Sequence, residues 1–222
     1  MSDTDSFIDE VTEEVRRDRL FLMLKRYGWI GAVAVVAIVG GAAFKEYRSA
    51  QDRATAEAAG DALSAALSSD EAAARAESLA TVEAGTAGAQ AVIDFARAGA
   101  LAEAGEITEA AEVLDRVSLN GDLPQIYRDI AAFKSVLLQA DVLPVAERRT
   151  RLEALASAGA PLQFLASEQL ALIDIAEGNT DAALSRLREI SASAGVSRDL
   201  QERVAQVIVA LGGSQDADAR EG

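Results

Sequence analysis

From Tyr27 to Phe44 the chain runs 18 residues without a charge, "YGWIGAVAVVAIVGGAAF". No other stretch constrains the fold so strongly. A helix rises about 1.5 Å per residue, so the segment is about 27 Å long. A bilayer's hydrocarbon core is about 30 Å thick, and the segment spans it with little to spare. Ile30, Val33, Val35, Val36, Ile38 and Val39 each favour insertion by roughly 0.3 to 0.6 kcal/mol, about 2 to 4 kcal/mol together. The flanks add to this modest signal. Lys25 and Arg26 close one end, Lys45 and Arg48 the other. Tyr27 and Trp29 sit at one interface level, Phe44 and Tyr47 at the other, as aromatic belts do.

Three readings compete for this segment. A buried helix of a soluble core would need equally apolar partners, and the rest of the chain shows amphipathic helices with charged faces. A cleaved signal peptide has small residues available in Gly41, Ala42 and Ala43. Its leading region, however, would be 26 residues long with seven acids, whereas secretory leaders begin short and basic. The third reading, a retained anchor, fits best. Residues 7–26 hold five cations (Arg16, Arg17, Arg19, Lys25, Arg26) against three in residues 45–64 (Lys45, Arg48, Arg53). Cations near a span stay cytoplasmic, so the expected topology is N-terminus inside and C-terminal domain outside. In a bacterium that means an inner-membrane protein with a periplasmic domain.

The chain has 222 residues and a net charge of −15. Residues 1–26 carry −2 of this, leaving −13 on the remainder. Such a domain repels phosphate backbones, which argues against nucleic-acid partners. There is no Cys, hence no disulfide, thiol nucleophile or zinc–thiolate site. There is no His, which removes the commonest general base and metal ligand. Proline is scarce, alanine abundant, and no alternating β-branched pattern follows residue 45. The expected fold class is all-α.

Helical periodicity and turn signals predict helices near 87–104, 108–117, 124–140, 145–157, 161–177, 180–193 and 197–211. Breaks fall at Gly105, Asn120-Gly121, Leu143-Pro144, Gly159, Gly178-Asn179 and Gly195. Long helices alternate with shorter ones. The long ones start near Ala87, Pro124, Pro161 and Ser197, at spacings of 37, 37 and 36. Proline is harmless in a first turn, whose N–H has no intrahelical partner. One step back from Ala87 reaches Ala50, so a first long helix should grow directly out of the span, with a short partner near 70–83.

Two places share a register. Ala98, Gly105, Ala110, Leu114 and Val117 are matched by Ala171, Gly178, Ala183, Leu187 and Ile190, with intervals of 7, 5, 4 and 3 in both. This small–Gly–Ala–large–apolar order resembles the tetratricopeptide repeat (TPR) family of helix pairs. The small residues let two helices approach, the glycine allows the turn, and the larger residues fill the space toward the next pair. The middle unit lacks the glycine and keeps only Leu152 and Leu155. The period exceeds the family's, and its aromatic first-helix positions are absent, with Asp94 and Ser167 at one such slot. An Ala-rich helical bundle is the competing reading. The whole layout resembles the family of ancillary subunits of the bacterial Sec translocon: a short acidic cytosolic helix, one span and a TPR-like domain. The segments "RRDRLFLMLKRYGWIGA" and "GDLPQIYRDIAAF" look like its alphaproteobacterial relatives. That resemblance implies partners among translocon subunits, periplasmic chaperones and unfolded clients.

Motifs that would carry chemistry are missing from the sequence. There is no Walker loop, nucleophile elbow, dinucleotide fingerprint or metal cluster. Acid pairs such as Asp9 and Glu13 read as solvated faces. No enzyme activity and no cofactor are expected, which leaves binding. Stacked helix pairs enclose a concave surface, and Phe95, Tyr127, Phe133 and Phe164 are candidates to line it, with ordinary packing between repeats as the alternative. Arg148, Arg149 and Arg151 form a local basic cluster in an acidic domain, a candidate partner contact or a solvated helix face. In the span, Gly28, Ala32, Val36 and Gly40, and likewise Ala37 and Gly41, recur at i+4 and would allow close helix packing in lipid. At the N-terminus Ser6 and Asp9 suggest a capping box. Phe7, Val11 and Val15 share a face there, and Glu13 can pair with Arg17. The expected organisation is a cytoplasmic tail 1–26, an anchor 27–44, a periplasmic TPR-like domain 45–212 of degenerate helix pairs, and a disordered tail 213–222. The expected function is protein–protein interaction at the Sec translocon, passing clients to periplasmic chaperones. The alternative is a membrane-anchored scaffold for envelope or cytochrome assembly.

Overall fold

The computed structural model describes residues 3–213, with side chains from Lys25 onward. The expectations for Ser6, Phe7, Asp9, Val11, Glu13, Val15 and Arg17 concern side chains outside the described ones. Those for 213–222 concern residues beyond the described chain, Gly213 excepted. Every regular element among the described residues is a helix. In chain order they are α1 (Asp3–Leu67), α2 (Ala72–Ala80), α3 (Ala87–Glu103), α4 (Ile107–Leu119), α5 (Gln125–Leu138), α6 (Val145–Leu155), α7 (Gln163–Ala176), α8 (Thr180–Ala192) and α9 (Arg198–Ala210). The expected long helix growing out of the span is present, since α1 continues without a break to Leu67.

The chain divides into two compact units at Glu57 and Ala58. In the first, α1 from Lys25 is long and apolar enough to cross a membrane, and its most apolar stretch is buried against none of the described residues. All residues from Tyr27 to Phe44 are exposed. Two cation–aromatic pairs bracket them. The Arg26 guanidinium lies 5.8 Å from the Tyr27 ring centroid and that of Arg48 lies 5.5 Å from Phe44, within range of cation–π attraction. The second unit starts at Ala58, and residues 45–57 are exposed apart from Ser49.

Within the second unit, consecutive helices pack on one another from α2 to α9, and α3 also reaches α5. The core is a succession of three clusters in chain order. The first centres on α2, α3 and α4, with Leu79, Leu101 and Leu114 buried, and takes in Leu63 and Ala66 of α1 and Ala131 of α5. The second joins α5, α6 and α7 through Val136, Leu152, Leu155 and Leu170. The third joins α7, α8 and α9 through Ala171, Leu187, Ile190 and Val204.

The two hairpins that share a register fold alike. Ala98 and Ala171, Ala110 and Ala183, and Leu114 and Leu187 are all at most 1% exposed. Gly105 and Gly178 have φ of +85° and +80°, the left-handed conformation that favours glycine. Each closes the same cap. Glu106 N–H donates to the Leu101 carbonyl and Gly105 N–H to that of Ala102, as Asn179 does to Asp174 and Gly178 to Ile175. This Schellman pattern satisfies the last carbonyls of α3 and α7. The middle hairpin has no such glycine and ends α5 through Gln139 and Ala140.

A candidate protein-binding surface

Apart from Leu67 at the end of α1 and Val142 in the loop between α5 and α6, the large apolar side chains left exposed in the second unit follow the helix order. Val92 lies on α3, Ile126, Tyr127 and Leu137 on α5, Leu172 on α7 and Val209 on α9. Among the described residues α2, α6 and α8 expose none, and α4 only its last residue, Leu119. The local cause is an apolar arc wider than one core face. In α5 the run Val136-Leu137-Leu138 covers three successive directions about the helix. Val136 is buried in the second cluster and Leu138 packs on the first, while Leu137 is 39% exposed between them.

Leu137 stands where two shallow clefts meet. One, of about 270 Å³, lies between α3 and α5 and is lined by Ala98, Gly99, Ala102, Lys134 and Leu137. The other, of about 210 Å³, lies between α5, α6 and α7 and is lined by Leu137, Arg148, Gln169, Leu172 and Glu177 among others. Gly99 leaves open space where a side chain would stand, and that leaves room in the first cleft, which it lines. Both clefts are largely apolar, with polar groups at few points. Such a surface suits apolar side chains of a partner.

The four aromatic candidates do not line these clefts. Phe95 packs on the first cluster, Phe133 on the second and Phe164 on the third. Phe164 lies against Gly195, where an added Cβ would come within 3.5 Å of its ring. Tyr127, in the first turn of α5, is 38% exposed. The shared repeat position of Tyr127 and Phe164 therefore gives two different environments.

The arginine cluster disperses as well. Positions on a helix turn by roughly 100° per residue, so neighbours in sequence point apart. Arg149 reaches α7, with Nη1 2.8 Å from Asp174 Oδ1 and Nη2 2.7 Å from Glu177 Oε2. Arg151 turns to Glu147 at 2.6 Å and to Asp115 of α4 at 3.9 Å. Arg148 alone lines the α5–α7 cleft, and its Nε is shielded from solvent with no hydrogen-bond partner among the described residues. The three side chains form no common patch.

Carboxylates tie the helices across the unit, and two of them, Asp174 and Glu168, are buried. Asp174 is 3% exposed and also accepts from Arg186 Nε of α8 at 3.3 Å. Glu168 of α7, 8% exposed, accepts a bidentate pair from Arg203 of α9 at 3.0 and 2.9 Å. Ser135 of α5 donates to Asp115 at 2.6 Å. Arg75 of α2 pairs with Glu103 of α3. The hydrogen bond to Asp174, ahead of other contributions, raises the pKa of Arg149, and that to Glu168 raises the pKa of Arg203. A raised basic pKa adds stability that is lost only as pH climbs through the folded value. These guanidinium pairs therefore persist through the alkaline range.

In the span, Ala32 and Ala37 are exposed, and Gly40 and Gly41 have open space where side chains would stand. The small-residue face is uncovered by the described residues. Among the described residues no three His, Cys, Asp or Glu side chains gather as a metal site would require. Compared with known proteins, the chain matches no family model, no curated protein and no solved structure.

Proposed function

We propose that the chain is a non-enzymatic protein-binding module anchored in a bacterial inner membrane. In this reading residues 27–44 span the bilayer with the N-terminus in the cytoplasm, and the second unit is a TPR-like solenoid in the periplasm. Support for the solenoid comes from the serial cores and from two hairpins that repeat one buried register and one glycine cap. The observation that carries the function is the alternation of exposed apolar side chains. Most of them lie on the alternate helices α3, α5, α7 and α9, with Leu67, Leu119 and Val142 at helix ends or in a loop, and a stacked array of pairs can put such a set on its inner surface. The layout's resemblance to ancillary Sec translocon subunits supplies the partner: translocon subunits in the membrane, with emerging chains or chaperones held on α3, α5 and α7.

Affinity purification of the full chain in mild detergent tests this. Translocon subunits should co-purify with it. Replacing Leu137 and Leu172 by Glu should remove soluble clients and leave the membrane partners bound. If no translocon subunit co-purifies with the intact chain, the translocon assignment fails and the assembly-scaffold reading takes its place. Protease added to spheroplasts should digest the chain beyond about residue 50, and full protection of the second unit would overturn the topology.

A further inference from the structure

The clefts beside Leu137 differ in charge from the chain that carries them. Of the charged side chains lining them, Lys134 stands alone in the α3–α5 cleft, and Arg148 and Glu177 lie in the α5–α7 cleft. Glu177 is already held by Arg149. The ion-paired cations of the described residues are Arg53, Arg75, Arg149, Arg151, Arg186 and Arg203. Neither Lys134 nor Arg148 is among them. Lys134 is also the single lysine beyond the pair that flanks the span. The contrast with the cleft between α2, α3 and α4 is sharp, for there Glu71, Glu77, Glu106 and Glu109 surround Arg97. Arg97, Arg116, Arg128, Arg188 and Arg198 of the second unit also lack an ion pair among the described residues, but none of them lines either apolar cleft. In a chain of net charge −15, the cations of these two clefts are thus Lys134 and Arg148, both without an ion pair among the described residues.

We propose that these clefts bind an amphipathic protein segment that is apolar on one face and acidic at its edges. This rests on the binding surface proposed above and adds the sign of its ligand. Apolar side chains of the segment fill the two hollows on either side of Leu137, and its carboxylates meet Lys134 and Arg148. A carboxylate at Arg148 also gives the solvent-shielded Nε–H an acceptor, and leaving such a donor unmatched is costly. The acidic remainder of the domain disfavours the same carboxylates elsewhere on its surface. The clefts thus set the register of the segment as well as its affinity.

The test uses the full chain in phosphatidylcholine nanodiscs, with empty discs as reference. Three fluorescent amphipathic peptides share one pattern of leucines, and their polar positions are all Glu, all Gln or all Lys. At about 0.15 M salt the screening length is about 8 Å, so distant charges count little and cleft charges decide. The Glu peptide should bind about three- to tenfold tighter than the Gln peptide, and the Lys peptide most weakly. Lys134→Glu with Arg148→Glu should invert that order. The milder Lys134→Gln with Arg148→Gln, checked for an unchanged helical spectrum, should erase it. Tightest binding of the Lys peptide, or a Glu preference untouched by both double variants, overturns the proposal. Leu137→Glu should weaken all three peptides; if it weakens none, the binding surface itself is misplaced. Dimers in the discs that Leu137→Glu converts to monomers would make a second copy the occupant and also overturn it.

Discussion

At Arg148 and Arg149 one step along α6 separates two environments. Arg149 is half-buried among carboxylates and joins α6 to α7, while Arg148 lines an apolar cleft without an ion pair. Their substitutions should therefore diverge. Arg149→Met leaves Asp174, which is 3% exposed, with Arg186 as its remaining cation. It should lower the stability of the full chain by about 1–3 kcal/mol, read as a lower urea midpoint. Arg148→Met removes no formed pair and should change stability by less than about 0.5 kcal/mol, with its effect confined to ligand binding. In the sequence these two residues and Arg151 look like one basic patch. Spacing along a helix could have warned against that, but the acids that claim Arg149 lie 25 and 28 positions away, at Asp174 and Glu177. No local pattern contains that pairing.

The helices themselves were largely legible in the sequence. Gly105 and Gly178 ended α3 and α7 as expected, Pro124 and Pro144 preceded α5 and α6, and Thr86 and Ser197 cap α3 and α9 with their hydroxyls. Turn chemistry is local, so a reader of the chain can find it. The lining of the clefts was harder to see. The phenylalanines of the long helices, Phe95, Phe133 and Phe164, are drawn against the cores, and the clefts are lined instead by residues such as Gly99, Leu137 and Leu172. Which apolar arc of a helix packs and which stays open depends on its neighbours. The width of the arc was the available signal, as in Val136-Leu137-Leu138. The shared hairpin register makes a prediction at this scale. Ala110 and Ala183 are completely buried, and Leu at either should overpack the core at a cost of about 1–3 kcal/mol. Ala146→Leu, on the exposed first turn of α6, should leave the melting temperature unchanged. Equal effects at all three positions would mean the register is wrong.

For the whole molecule, charge and apolar surface are divided by task. The exposed surface from Tyr27 to Phe44 suits lipid, with an arginine–aromatic pair at each end to hold its depth. The second unit keeps its carboxylates for ties between helices and for solubility, and it exposes apolar side chains mainly on α3, α5, α7 and α9. On the proposed function, a chain built this way acts by holding partners on one face of the second unit. Site-specific photocrosslinking in living cells tests that most directly. A benzophenone side chain is placed at Val92 or Leu172 on the proposed binding face, or at the exposed Glu112 of α4 or Glu189 of α8. Discrete, recurring adducts are expected from Val92 and Leu172, lost when Leu137→Glu is added, and none from Glu112 or Glu189. Equal adducts from all four positions, or adducts from Glu112 and Glu189 alone, would contradict the proposed function.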